Sequence, residues 1–294
     1  MSRRFRPTGR TGFSMRTLIA AMAAAVLGVM VEPARAEGDD VFHFSVLNQR
    51  SAALIAQYWN PILSHVSRKS GVELRLKLGK TAPETTELTV RGEAQFAFTN
   101  HLFTPERVKL GWKVIAATDE PAVRGIIVVP ADSRLRRLAE LRGQKVAFPS
   151  AEAFVGYKVP MDALTKQGVM VEAVFSGNQE GAMGQLKLGR VVAAGVNANV
   201  MEAYARREGL AYRVLWESEA FRGLAVMAAP VVPAATVQAV RNALIGMSRD
   251  PEGREVLASG AALLKLDRPE GFVPATDADY RNYHNFYRNA VAPP

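Results

Sequence analysis

Hydrophobic positions along this chain alternate over short runs and recur at helical spacing over longer ones. Residues 41–47 (VFHFSVL) alternate large apolar and smaller residues, which predicts a strand. After the polar break Asn48-Gln49-Arg50-Ser51, apolar side chains fall at Leu54, Ile55, Tyr58, Trp59, Ile62, Leu63 and Val66. That spacing predicts a helix over 52–66, with Gly71 as a stop beyond it. Strands follow at 73–78, 94–99 and 112–117, with a short helix over 83–91 closed by Gly92. Strand, helix, strand, helix, strand is the order that builds a parallel sheet covered by helices.

The alternation then restarts. Strands are predicted at 125–129, 145–148, 169–175, 191–196, 212–216 and 224–229. Helices are predicted at 135–141, 156–167, 180–188 and 198–207, each followed by a glycine, and at 237–247, 251–257 and 277–289 in the tail. The doubled pattern predicts an α/β protein of two lobes, with the chain crossing between them more than once.

Charge changes the picture mainly at the start. The chain has 294 residues with 37 basic and 28 acidic, a formal net charge of +9, and no cysteine. Five arginines, Arg3 to Arg16, precede the uncharged run 17–31, and Pro33-Ala34-Arg35-Ala36 then places small residues at an A-x-A site. Basic, apolar and small residues in that order predict a secretory signal peptide over 1–36, and the run is short for a membrane span. Its removal takes six arginines and Glu32 from the totals, leaving 258 residues with 31 basic and 27 acidic, a net +4. That residual charge, without a basic stripe, gives no reason to expect nucleic acid as a partner. Lack of cysteine excludes disulfides and thiolate metal sites, and an exported chain of this kind predicts a periplasmic protein.

No G-x-S-x-G elbow and no phosphate-binding glycine loop occurs, so the chain is read as a binding protein and not an enzyme, with no cofactor and no metal. His43, His65 and His284 read as structural, since no two histidines have metal-ligand spacing. What recurs is amide side chains where strands end: Asn48 and Gln49, Asn100 with His101, Asn178 with Gln179, and Asn197 with Asn199. Open α/β sheets present ligand sites at strand C-terminal ends. The same residues are also ordinary turn formers, and both readings stand for each.

These elements together resemble the periplasmic substrate-binding proteins of phosphate, phosphite and phosphonate ABC transporters. The resemblance is carried by the helix containing Tyr58-Trp59-Asn60-Pro61-Ile62-Leu63, by 88–98 (LTVRGEAQFAF), by Ser133 with 138–148 (LAELRGQKVAF), by Gly156-Tyr157 with Pro160, Leu164 and Gly168, by 185–195, and by the tail segments 233–247 and 271–287. It implies a two-lobed type II periplasmic-binding fold, each lobe a mainly parallel sheet flanked by helices. By that analogy lobe one is 37–124 plus 223–294 and lobe two is 125–222. It implies a small polar or anionic ligand, phosphonate- or phosphate-like, caught between the lobes and handed to an ABC permease in the inner membrane.

The family's second-lobe loop reads serine-threonine-serine-glycine-tyrosine, and the matching positions here are Ala153, Phe154, Val155, Gly156 and Tyr157. The three hydroxyls are gone, leaving backbone N–H groups and a helix dipole to hold an anion. Gln179, Val192 and Gln95 stand where the family has a histidine and two acids, which removes the carboxylates for a ligand amine and predicts against an aminophosphonate. The expected ligand-binding set is therefore Asn48, Gln49, Asn100, His101, Ala153 to Tyr157, Asn178 and Gln179. The lost hydroxyls also leave open a sensory or accessory role, serving a membrane kinase or a periplasmic redox system without transport.

Overall fold

In the computed structural model residues 41–291 are described, and the predicted export segment over 1–36 lies outside them. The chain opens with β1 (Phe42–Val46), α1 (Ala52–Ser70), β2 (Leu74–Lys77), α2 (Ala82–Val90) and β3 (Phe96–Thr99). A 3-10 turn over His101–Phe103, the single-turn α3 (Pro105–Val108) and β4 (Lys113–Thr118) follow. The chain then crosses to β5 (Gly125–Pro130), β6 (Lys145–Phe148), a π turn over Phe154–Lys158, α4 (Val159–Lys166), β7 (Glu172–Phe175), α5 (Gln179–Lys187), β8 (Ala193–Asn197), α6 (Ala198–Glu208) and β9 (Tyr212–Glu217). It returns for β10 (Ala225–Ala228), α7 (Ala234–Gly246), α8 (Pro251–Leu264), β11 (Phe272–Pro274) and α9 (Arg281–Asn289).

Two sheets result. The first has the order β11-β4-β10-β3-β1-β2 and the second β7-β6-β8-β5-β9. In the first, β1 pairs in parallel with β2 and β3, while β10 runs antiparallel between β3 and β4. In the second, β6 pairs in parallel with β7 and β8, and β5 runs against β8 and β9. The reversed strands β10 and β5 each follow a crossing between the sheets, so the reversal marks where the chain changes half.

α1 shows how the pattern becomes structure. Ser51 caps it by accepting the Leu54 N–H, and Gly71 ends it at φ 72°, a left-handed conformation that glycine adopts without a Cβ penalty. Ile55, Trp59, Ile62, Leu63 and Val66, spaced on one face, are all buried. Trp59 meets Phe44, Phe98 and Phe272 with ring centroids 5.2, 4.8 and 6.0 Å away, which seats the helix on the first sheet.

Three elements differ from the sequence reading. The helix expected over 135–141 is a single 3-10 turn, Leu138–Leu141, and the one expected over 156–167 starts on the π turn. The tail, read as helical, also contributes β11, whose three residues pair with β4 at the edge of the first sheet. Three residues are too few for alternation to register.

The halves are joined by the segments 119–124 and 218–224, which run side by side. They pair through an antiparallel bridge, with Val123 N–H donating to Phe221 O at 2.7 Å and Phe221 N–H to Val123 O at 2.8 Å. A two-stranded crossing of this kind permits bending while it holds the halves in register.

Candidate functional site

Nine of the eleven residues expected to bind ligand come together. Asn48, Gln49, Asn100, His101, Ala153, Phe154, Val155, Asn178 and Gln179 surround one pocket where the ends of strands from the two sheets approach. Gly156 and Tyr157 stand apart from it. Tyr157 packs on Phe148 and Phe175, at 5.1 and 5.0 Å, and Gly156 makes room for Gln179, whose Nε2 would lie 2.7 Å from a Cβ there.

This pocket is small, at about 30 Å³. That is room for a water or two, and a methylphosphonate does not fit. Most of its polar side chains are already engaged. Asn48 donates to Gly79 O at 3.0 Å and accepts from Thr85 Oγ1. Asn178 caps α5 by accepting the Gly181 N–H at 2.8 Å, and Gln179 accepts the Asn197 N–H at 2.9 Å. Asn197 in turn caps α6 through the Asn199 N–H. In Asn178 and Asn197 the turn-forming role is the one seen, whereas Asn48 and Gln179 tie together segments distant in sequence.

The loop over residues 152–155 forms a latch between the halves. Phe154 is 2% exposed, and its ring lies 4.2 Å from Tyr283, 4.9 Å from Phe221, 5.0 Å from Phe286 and 5.7 Å from Tyr287. Three of those rings belong to α9, so a side chain of the second half is buried in aromatic surface carried by the tail. Beside it Glu152 bridges to the first half, accepting from Arg107 Nη1 and Nη2 at 2.7 and 2.8 Å. His101 Nδ1 lies 3.2 Å from the same carboxylate and 2.8 Å from Thr86 Oγ1. Burial opposes charge on Glu152, but the bonds from His101 and Arg107 outweigh it and hold the carboxyl well below the usual range. Burial lowers the His101 pKa against the pull of Glu152. On the far side, Val291 N–H donates to Asp162 at 2.7 Å and Lys158 Nζ sits 5.3 Å over the Tyr287 ring.

A larger cavity, about 410 Å³, opens between the two halves on the other side of Asn100 and Val155. Its first-half wall is Arg50, Tyr58, Trp59, Phe98, Glu120 and Glu270, and its second-half wall is the face of α6 bearing Asn199, Ala203 and Arg206, three residues at helical spacing. Gln49, Asn100 and Val155, from the expected set, border this cavity too. Sequence reasoning passed over Glu120 and Glu270. Glu120 obeys the rule that singled out Asn48 and Asn100, since it follows the fourth strand, whereas Glu270 sits between prolines and glycines with no periodicity to flag it.

The charges around the cavity are partly paired. Arg206 meets Asp267 at 3.3 Å and Glu202 at 3.7 Å, Arg268 meets Asp119 at 3.2 Å, and Arg50 reaches Glu180 of the second half at 3.9 Å. Glu120 accepts from Thr118 Oγ1 at 3.0 Å. Burial, and Glu270 after it, push Glu120 up to about 7. Burial raises Glu270 as well. Gly223 sets the position of Glu120, because a Cβ there would lie 1.8 Å from Glu120 Oε1.

Elsewhere His65, Asp250 and Glu252 bring their ligand atoms within 4.8 Å of one another, a grouping the sequence did not suggest. Lys69 holds Asp250 at 2.7 Å and Arg68 pairs with Glu252, so both carboxylates are already neutralised.

The family model for the phosphonate periplasmic substrate-binding proteins of ABC transporters matches residues 44–280. No curated protein sequence matches the chain. Among solved structures it is similar to PhnD1 of Prochlorococcus marinus in complex with methylphosphonate, at 14% identity and a TM-score of 0.70, over 85% of this chain and 98% of that one. It is also similar to a binding-protein component of a Pseudomonas aeruginosa ABC phosphonate transporter, at 16% identity and a TM-score of 0.68, over 84% and 86%. The aliphatic sulphonate binding protein of Escherichia coli aligns at 15% identity and a TM-score of 0.54, over 87% and 94%. At such identities these likenesses establish the fold, a type II periplasmic-binding fold, and leave the cargo to be argued from the site.

Proposed function

The chain belongs to the phosphonate family of ABC-transporter periplasmic substrate-binding proteins, and from that premise we propose that it captures a small solute in the 410 Å³ cavity and delivers it to an inner-membrane permease. The observation that carries this reading is the cavity itself, walled by both halves and bordered by the paired crossing segments. Residues 37–124 with 223–294 act as one lobe and 125–222 as the other, bending about Val123 and Phe221. A solute that touches both walls favours the closed arrangement, and the closed arrangement is what a permease recognises. The leader over 1–36 directs the chain to the periplasm.

The pocket under Ala153 to Val155 is assigned to the latch and not to cargo, because its volume admits only water. Asn100 and Gln49 serve the solute from the cavity side. The test is a thermal-shift panel of phosphate, phosphite, methylphosphonate, aliphatic sulphonates, amino acids and small organic amines against the purified protein. A ligand of the native state raises Tm by mass action, by roughly 5 °C at a hundredfold excess over Kd. A shift with one chemical class supports capture, and a flat response across the whole panel contradicts it.

A further inference from the structure

We propose that the captured solute carries an organic cation, an N–H-bearing ammonium or amidinium group seated between Glu120 and Glu270 with its carbon skeleton against Tyr58 and Phe98. The proposal rests on the solute-capture reading and names the class of cargo for the same cavity.

Three observations converge. The first is the pair of carboxylates. Among the described residues no lysine, arginine or histidine forms a salt bridge with either Glu120 or Glu270, although the neighbouring acids Asp119, Glu202 and Asp267 all have arginine partners. Burial makes each hold its proton more tightly than a free carboxyl, helped at Glu120 by Glu270 and at Glu270 by Asp119, while Arg268 and Arg50 pull Glu270 the other way from beyond salt-bridge distance. A cation entering the cavity supplies the missing partner and displaces that proton to solvent.

The second is Asn100. It is 5% exposed, it borders the cavity, and its Oδ1 has no hydrogen-bond partner. Tyr283 donates its hydroxyl proton to Arg222 O at 2.6 Å, so toward Asn100 it is an acceptor. That places the Asn100 amide nitrogen on Tyr283, at 3.5 Å, and leaves the carbonyl oxygen as a buried acceptor awaiting a donor. An ammonium group brings donors and no acceptor, whereas an oxyanion would bring three acceptors to a place that already has too many.

The third is the aromatic wall. Trp59 lies 5.9 Å from Tyr58 and 4.8 Å from Phe98, and the exposed parts of Tyr58 and Phe98 face the cavity. Ring faces favour cations and the alkyl carbons next to them. Arg50, Arg206 and Arg268, which also line the cavity with Lys265, are each opposed by an acid: Glu180, Asp267 and Asp119.

The experiment titrates ethanolamine, putrescine, agmatine and methylphosphonate calorimetrically into the wild-type protein, Glu120→Gln and Glu270→Gln, with Tm measured for each empty protein. The expected result is binding of at least one of the three amines, weakened tenfold or more by either substitution. The empty variants should melt no lower than wild type at pH 8, since an unpartnered charge has been removed. A residue kept for structure would lower Tm instead. Binding of methylphosphonate alone, or amine binding unchanged by both substitutions, overturns the inference and leaves capture standing. No binding by these four probes also overturns it, while capture falls only if the wider thermal-shift panel is flat.

Discussion

Replacing Phe154 with alanine should cost about 3–5 kcal/mol of stability and lower Tm by roughly 10 °C. The ring is 2% exposed and touches four other rings, so its loss removes both transfer energy and the packing of Tyr283 and Phe286 around it. What separates this residue from any buried phenylalanine is its place. It belongs to the second half, and its partners belong to the crossing segment and to α9. Its removal should therefore let the halves open, and small-angle scattering of the empty variant should give a larger radius of gyration than wild type. Phe154→Leu should recover most of the stability. A loss below about 1 kcal/mol, or an unchanged radius, would show that the aromatic cluster does not join the halves.

The second large effect is on pH. An unfolded Glu120 titrates near 4.5, the ordinary value of a glutamate side chain, whereas burial and the neighbouring Glu270 raise it to about 7 in the folded chain. Between those values the folded protein binds a proton that the unfolded chain has released, so the stability of the empty protein falls as pH rises from about 4.5 to about 7 and then levels off. Amine binding runs the opposite way, because only the carboxylate form attracts the cation. Affinity for an amine should rise about tenfold from pH 6 to pH 8 in wild type and clearly less in Glu120→Gln. The groups around Glu120 are Glu270, Asp119, Thr118, Arg268, Arg50 and Tyr58. Burial raises Tyr58 away from that window, and an arginine keeps its charge throughout it. Affinity that falls with rising pH would contradict the account.

Much of the fold was legible because its elements carry strong periodicity. The stripe from Ile55 to Val66 and the alternation of 41–47 are both produced by burial against one sheet, and burial is what hydropathy records. β11 and the π turn were not legible, since three paired residues and one widened turn leave no period. The candidate site was legible by location only. Asn48, Asn178 and Gln179 do stand at strand ends, but their side chains are spent on backbone groups of neighbouring loop, helix and strand ends. Phe154 belongs to the expected ligand-binding set, and the rings it packs on, Tyr283 and Phe286, lie some 130 residues further along the chain. Glu120 lies in the first crossing segment and Glu270 just before β11, and no spacing rule joins residues that meet only through topology.

The central claim is that cargo occupies the cavity between α1 and α6 and not the pocket beneath Ala153. It is tested most directly by titrating the solute that gives the largest thermal shift into Ala203→Trp, which fills the cavity from the α6 wall, and into Ser150→Ala, which alters only the smaller pocket. The account predicts that Ala203→Trp abolishes binding and that Ser150→Ala binds as wild type does. Retained binding in Ala203→Trp with loss in Ser150→Ala would contradict it.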